Sequence, residues 1–411
     1  MDVIITSLLD ELFSKVWFEL TFLLVVSLFA GFLFARFGQP RVLGYIVVGV
    51  VIGPSVLNII RSSGTSGTGV SPLPETVQML ALLGAIVLLF MIGLECDLKQ
   101  VYGKRSIAIA FGGVVVPWLG GYLLALAMGF GPDAIFIGAT LVATSVAITA
   151  SVTSQLGLIG TPIAYAIVGA AVVDDVLGMV VLGISKELAP GAGLDYGAIV
   201  LLVVGATLFI VVGAWIGSRY LTKLVFDVQV SGFRRKLPMS GFVLALAIAF
   251  LYAFIAEAIG ITAIVGAFVA GTAFSGSPLR DGLRKGTSYL EALFVPLFFV
   301  SLGVAVDVRG IEDAFVFVIV LTLVAVATKI IGCGVSARLT GMSWWDSLAV
   351  GVGMTPRLEI ALVIAYYGLS NLIIDEKTYS VVVFMGLLTA VFAPALLRGV
   401  LKRGGHVLLP T

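Results

Sequence analysis

The chain of 411 residues is 60% hydrophobic and only 11% charged, and its formal net charge is +1. Soluble domains carry about 25% charged residues, so this composition excludes an ordinary soluble protein and predicts an integral membrane protein. The small net charge gives no reason to expect a nucleic acid or a strongly acidic partner. Cys96 and Cys333 lie far apart with no histidine nearby, which excludes a disulfide framework and a zinc site.

Apolar segments long enough to cross a bilayer recur along the whole chain. They predict an all-α membrane protein of about thirteen transmembrane helices. In chain order, their approximate limits are 17–35, 42–60, 75–94, 106–129, 133–154, 162–185, 196–217, 239–256, 258–275, 287–306, 311–335, 343–368 and 378–397. The boundary near Glu257 and Ala258 is the weakest of these.

The basic residues of the short loops indicate the orientation. Seventeen lysines and arginines fall on one side of the membrane, and only Lys15, Arg61, Lys186, Arg309 and Lys377 fall on the other. The more basic side of a membrane protein normally faces the cytoplasm. We therefore expect a multi-pass protein of the cell (inner) membrane, with its amino terminus outside and its carboxyl terminus in the cytoplasm.

The longest connection on the basic side runs from about Ser218 to Pro238 and alternates basic with apolar residues. Two interpretations stay open for it. The segment either lies along the lipid headgroups as an amphipathic linker or forms an ordinary solvated loop.

Two adjacent carboxylates, Asp174 and Asp175, lie in the middle of the apolar segment 163–184. A charged side chain at this depth costs roughly 2.5–3.5 kcal/mol on insertion scales, so such a pair indicates an ion or proton path. Neighbouring residues on a helix point about 100° apart, and the two carboxylates therefore cannot share one partner symmetrically.

Two predicted spans contain residues that favour an interruption at mid-depth. Pro356 follows Thr355 in the twelfth span and removes a backbone hydrogen bond. In the fifth span, Thr144 and Ser145 have hydroxyls that can satisfy freed backbone groups, although small polar residues at a helix contact would look the same. Seven spans separate the two segments, so they run in opposite directions, as in an inverted repeat.

Lys329 lies deep in the eleventh span, too far from either end to reach the interface comfortably. We expect Lys329 to pair with Asp174, and Asp175 to face a cavity beside the interrupted fifth helix. Burial and a like charge next door both favour protonation of a carboxylate, so Asp175 could alternate between a proton and an alkali cation. Oxygen atoms of Thr144 and Ser145 would complete a shell suited to Na⁺.

Arg357 and Glu359 follow the second interruption closely. They could form a structural or gating ion pair, or they could take part directly in the ion path. Both interpretations stay open from the residues alone.

These motifs together resemble those of bacterial and archaeal sodium/proton antiporters of the NapA type, within the cation:proton antiporter superfamily. The similar segments are Val172–Gly178, which contains the Asp-Asp pair, Ala143–Thr149, Lys329, and Gly353–Glu359. The resemblance covers nearly the whole chain, and the combination is specific although each motif alone would be weak.

The resemblance implies an NhaA-like antiporter fold with two interrupted, crossing helices and a mobile core. It assigns residues 1–105 and 219–306 to a dimerisation or scaffold domain, residues 106–185 and 311–403 to the mobile core, and 196–217 to a connecting span. It further implies elevator-like, electrogenic exchange of one Na⁺, or Li⁺, for two protons by a homodimer in the lipid bilayer. Neither a resident cofactor nor an enzymatic activity is expected.

The resemblance also implies residue roles. Asp175 would bind the cation, with Asp174 beside it, and Asp174 would form the salt bridge with Lys329. Thr144 and Ser145 correspond to hydroxyls of the unwound fifth helix, and Glu359 to the acidic residue after the second interruption.

Three other functions are alternatives to sodium/proton exchange. A K⁺/proton antiporter on the same scaffold is the strongest alternative, because the sequence discriminates poorly between the two cations. An intramembrane aspartyl protease needs two carboxylates that converge on one water molecule, whereas adjacent residues on one helix diverge. A channel would conduct ions faster than a cycle of binding and release allows, and it would do so without obligatory proton counterflow.

Overall fold

A computed structural model describes residues 16–405 of the chain, except for gaps within that range. The gaps are 38, 40, 54–55, 61–74, 97–102, 132–133, 188–195, 305–313, 358–360, 362–363, 366–367 and 369–372. Within the described residues all regular secondary structure is helical, which confirms the predicted all-α class.

The helices are numbered here in chain order. The first seven are α1 (Val16–Arg36), α2 (Arg41–Ile52), α3 (Glu75–Glu95), α4 (Lys104–Ala127), α5 (Ala134–Thr140), α6 (Val146–Gln155) and α7 (Pro162–Glu187). The next four are α8 (Tyr196–Ile216), which continues through a π-helical turn at Gly217–Leu221, α9 (Thr222–Arg234), α10 (Ser240–Ala258) and α11 (Ala263–Phe274). The last four are α12 (Arg280–Val304), α13 (Phe315–Leu339), α14 (Trp344–Gly353) and α15 (Glu376–Arg403).

Eight helices in the described part of the chain are long and apolar enough to cross a membrane. Three shorter apolar helices, Arg41–Ile52, Met79–Glu95 and Ala263–Phe274, coincide with the second, third and ninth predicted spans. The fifth and twelfth predicted spans are the interrupted segments described below. The exact count of thirteen stays a prediction, since length and composition support only eight of the spans directly.

The helices pack as two groups. In the scaffold group, α3 lies against α11 and α12, α2 lies against α1 and α12, and α10 lies against α11. In the core group, α4 lies against α5, α7 and α13, and α14 lies against α13 and α15. Helix α8 contacts both groups, and α9 packs on α10. The predicted domains, their relative movement and the dimer stay predictions.

Glycines allow close helix crossings within each group. A Cβ atom on Gly49 of α2 would collide with the backbone at Val300 and Gly303 of α12, and one on Gly332 of α13 would collide with the backbone of Gly112 in α4. Small residues let membrane helices approach backbone to backbone, where dispersion contacts hold them together. The glycines at these crossings therefore serve helix packing.

Candidate functional site

The fifth predicted span is interrupted where the sequence placed Thr144 and Ser145. Helix α5 ends at Thr140 and α6 begins at Val146, with a non-helical stretch between them. Ser145 has an extended backbone, and its hydroxyl accepts a hydrogen bond from Ile148 N at 3.2 Å, so it caps the second half-helix. The predicted interruption is confirmed, and the local reason for it is this cap.

The twelfth predicted span breaks in the same way. Helix α14 ends at Gly353, and Met354 to Arg357 are not helical. Pro356 cannot donate a backbone hydrogen bond and disfavours helical geometry at the residue before it. The chain is helical again at residue 361, so this second predicted interruption is also confirmed.

The two interruptions lie against each other. Ser145 N donates to Pro356 O at 2.7 Å, Thr144 Oγ1 donates to Met354 O at 3.3 Å, and Thr149 Oγ1 donates to Gly353 O at 3.1 Å. Irregular backbone at membrane depth is tolerated only where protein or a cavity satisfies it. Each break therefore supplies partners for the polar groups that the other break frees.

Lys329 extends from α13 to the same region. Its Nζ lies 2.9 Å from Asp174 Oδ1 and 3.1 Å from Oδ2, and both side chains are 0% exposed. Nζ also donates to Gly113 O and to Val142 O, each at 2.7 Å. An ammonium group has three protons, and these partners account for all of them. The predicted Lys329–Asp174 pair is confirmed, and it ties α13 to α4, α7 and the first interruption.

Asp175 is also buried, at 4% exposure, in the next position of α7. The Thr262 hydroxyl donates to Asp175 Oδ2 at 2.9 Å. Thr262 precedes α11 in the scaffold group, whereas the expected environment of Asp175 was a cavity beside the fifth span. Sequence reasoning missed Thr262, because nothing in the sequence links this threonine, near the start of the ninth predicted span, to Asp175.

Arg357 is fully buried and is among the largest such side chains in the described chain. Its Nε donates to Leu141 O at 2.9 Å and its Nη1 to Thr355 O at 3.2 Å, so it binds carbonyls at both interruptions. Its backbone N donates to Thr389 Oγ1 of α15 at 3.1 Å. These contacts join the two interruptions through carbonyl oxygens, and the ion pair expected of Arg357 stays a prediction. Glu359, one possible partner of Arg357, lies outside the described residues.

The predicted site residues that the structure describes thus lie in one region of the core group, where a carboxylate pair and a lysine lie beside two interrupted helices. The family model described as "Sodium/hydrogen exchanger, transmembrane" matches residues 23–403. The chain belongs to this family.

Two relatives of this exchanger come from Bacillus cereus. The Na(+)/H(+)-K(+) antiporter GerN is 35% identical over 386 residues, which are 93% of this chain and 95% of GerN. The probable Na(+)/H(+) antiporter GerT is 36% identical over 389 residues, which are 93% of this chain and 98% of GerT. The solved structure of the sodium proton antiporter MjNhaP1 from Methanocaldococcus jannaschii at pH 8 has a similar fold. Its TM-score is 0.65 at 17% identity, covering 93% of this chain and 96% of that one.

A cavity of about 670 Å³ lies between the two helix groups of the exchanger. Its walls include Ser151 and Gln155 from α6, which packs on α7 of the core group, and Arg41, Tyr45 and Glu291 from α2 and α12 in the scaffold group. Arg41 is the first residue of α2, next to a basic loop, and Gln155 is the last residue of α6. The cavity thus lies on the side that the loop charges predict to be cytoplasmic.

Within the described residues, no cluster of three or more His, Cys, Asp or Glu side chains could hold a metal ion. Hydroxyl and carbonyl oxygens can bind Na⁺ together with carboxylates. Hard alkali and alkaline-earth cations accept such oxygen ligands readily. The first interruption brings a carbonyl of this kind close to Asp174, since Lys329 Nζ contacts both Val142 O and the Asp174 carboxylate.

Proposed function

We propose that this exchanger carries Na⁺, or Li⁺, across the cell membrane in one direction and protons in the other. The observation that carries the proposal is the unequal environment of the two adjacent aspartates. The positive charge of Lys329 is directed at Asp174, at 2.9 Å. The hydrogen bond to Asp175 from Thr262 comes instead from a neutral hydroxyl.

Asp175 is the proposed exchange site. A buried carboxylate needs a proton or a cation to offset its charge, because leaving it ionised in a medium of low polarity is costly. A proton and Na⁺ compete for the same oxygen atoms, so binding of one releases the other. Thr144, Ser145 and the partial charges at the ends of the interrupted helices would assist the cation.

The Asp174–Lys329 pair is the proposed site of the second proton. Its buried charges stabilise each other, and a change of charge at the neighbouring Asp175 alters that balance. Transport of one Na⁺ for two protons, which would make the exchange electrogenic, follows from this assignment. It rests on the family resemblance as well as on the pair itself.

Movement of the core group against the scaffold group is the proposed route of alternating access. Two observations support it: the packing of the helices into two groups, and the cavity between them on the side of the basic loops. The proposal includes a homodimer formed by the scaffold group in the lipid bilayer. It also includes an external amino terminus, a cytoplasmic carboxyl terminus and the absence of enzymatic activity.

A K⁺/proton antiporter remains the second candidate. One observation favours it, namely that the relative GerN is described as an Na(+)/H(+)-K(+) antiporter. The cation site would use the same residues in either case, since both ions bind oxygen atoms.

The test is the collapse of a proton gradient in inside-out membrane vesicles, followed with a pH-sensitive dye. Na⁺ or Li⁺ should dissipate the gradient with the wild type and with Asp227→Asn, a matched control at an exposed carboxylate of α9. Asp175→Asn should respond no more than vesicles without the protein. Normal Na⁺ responses in Asp175→Asn would refute the proposal, and a K⁺ response equal to that for Na⁺ would support the second candidate.

A further inference from the structure

The hydrogen bond between Thr262 and Asp175 joins the two helix groups at the proposed ion site. Its donor lies at the start of α11 in the scaffold group and its acceptor in α7 of the core group, 87 residues apart in sequence. Movement of the core against the scaffold must break this bond, because one end belongs to each group. The following inference rests on the proposed function.

Thr262 is held firmly by the scaffold. Its carbonyl accepts a hydrogen bond from Val265 N at 3.1 Å, and every residue of α11 is buried. A Cβ atom on Gly266 would collide with the backbone of Tyr252 in α10, which shows how closely these two helices pack. The Thr262 hydroxyl therefore has a fixed position relative to the scaffold.

The direction of the Thr262 hydroxyl is unusual for its place in the helix. A threonine immediately before the first helical turn normally accepts a hydrogen bond from the backbone two or three residues on. Thr262 makes no such side-chain cap, and its hydroxyl is directed at the Asp175 carboxylate instead. The chain has thus replaced a local stabilising contact by one that reaches the other helix group.

The strength of this bond depends on what Asp175 carries. Hydrogen bonds to an ionised carboxylate are roughly twice as strong as those between neutral groups. The bond is therefore strongest when Asp175 has neither a proton nor a cation. Either ligand offsets the carboxylate charge and weakens the bond.

We propose that Thr262 is a positioning residue that holds the unloaded, ionised core against the scaffold. Binding of a proton or of Na⁺ to Asp175 releases the core for movement. An antiporter must prevent its unloaded core from crossing, since that step would let Na⁺ flow without proton counterflow. The Thr262 hydroxyl supplies this restraint at the site where loading occurs.

The experiment compares Thr262→Val, which removes the hydroxyl at nearly constant volume, with Thr262→Ser, which keeps it. Purified protein in liposomes is loaded with ²²Na⁺, and Na⁺ efflux into Na⁺-free buffer and proton flux are recorded together. Each efflux rate is divided by the Na⁺/Na⁺ exchange rate of the same variant, because that exchange does not require an unloaded core to cross. Thr262→Ala serves in the same way if the valine variant is not monodisperse.

Thr262→Val should raise the number of Na⁺ ions moved per proton, with an increase in normalised efflux of about tenfold, the effect expected from losing a hydrogen bond to a charged group. Thr262→Ser should keep the wild-type ratio. An unchanged ratio in Thr262→Val would overturn the proposal, and so would a serine variant that behaves like the valine variant. Loss of Na⁺/Na⁺ exchange in Thr262→Val would also overturn it, because Thr262 would then be a ligand of the ion.

The two proposals fail separately. Asp175→Asn that still exchanges Na⁺ for Na⁺ would contradict the assignment of the ion site, whatever Thr262 does. Wild-type coupling in Thr262→Val, together with loss of exchange in Asp175→Asn, would leave the ion site intact and remove only the restraint.

Discussion

Replacement of Lys329 by glutamine tests the buried ion pair most directly. The ammonium group is 0% exposed and lies 2.9 Å from an equally buried Asp174 carboxylate. The substitution leaves that carboxylate without its positive partner and removes the ammonium donor from Gly113 O and Val142 O. Breaking one side of a buried pair typically costs about 3–5 kcal/mol, because the remaining charge stays buried and unpaired.

The measurement is thermal unfolding of the purified exchanger in detergent. A cost of this size should lower the unfolding temperature of Lys329→Gln by about 5 °C or more. The double variant Lys329→Gln with Asp174→Asn should recover much of the loss, because no unpaired charge is then left in the core. Lys285→Gln, at an exposed lysine of α12, is the matched control and should unfold like the wild type.

The same variants report on proton coupling. If the pair is the site of the second proton, Lys329→Gln should move fewer protons per Na⁺ and lose sensitivity to membrane voltage. Unfolding temperature and voltage sensitivity both equal to those of the wild type would refute the reasoning, whatever the double variant does.

Two further predictions concern stability. Gly113→Ala should lower the free energy of unfolding by about 1–3 kcal/mol, because the added Cβ would collide with Cys333 Sγ. Gly205→Ala is the control: its added Cβ would have no atom within 4 Å, so it should be neutral or slightly stabilising in the same thermal assay. Asp375→Ala removes the cap of α15 and should cost about 0.5–2 kcal/mol. Burial by itself would raise the pKa of Asp375, but hydrogen bonds from Thr378 outweigh burial and lower the pKa below its ordinary 3.8. The stabilisation of α15 by the Asp375 cap is therefore lost as pH falls through that lowered pKa. The difference in unfolding temperature between wild type and Asp375→Ala should therefore become smaller only in strong acid. A difference that becomes smaller already near neutral pH would contradict the lowered pKa as its cause.

Several features of the site could be predicted from the sequence because each one is a residue type that is unfavourable in a helix within the bilayer. Asp174, Asp175 and Lys329 are charges in apolar segments, where they are costly unless they meet. Pro356 removes a backbone hydrogen bond and disfavours helical geometry at Thr355. The sequence therefore indicates that such residues lie deep in the membrane and require partners. The pairing of Lys329 with Asp174 was predicted on this basis.

Other contacts could not be predicted, because the residues that make them are ordinary in sequence. Thr262 is one threonine at a helix start, and nothing local distinguishes it from a cap. Thr149 bonds Gly353 O only because the two interruptions cross at that point. Arg357 follows the second interruption in sequence, but its carbonyl partners at Leu141 and Thr355 depend on the geometry of both breaks.

The sequence by itself determined that this exchanger is helical, embedded in the membrane, and interrupted at two places around a carboxylate pair and a lysine. Hydropathy and helix-breaking residues act over a few neighbouring positions, so they can be recognised in the sequence without knowledge of the tertiary structure. Only the tertiary structure decided which group contacts Asp175, namely the Thr262 hydroxyl from the other helix group. That choice depends on the rotation and packing of whole helices, because a shift of one position on a helix turns a side chain by about 100°.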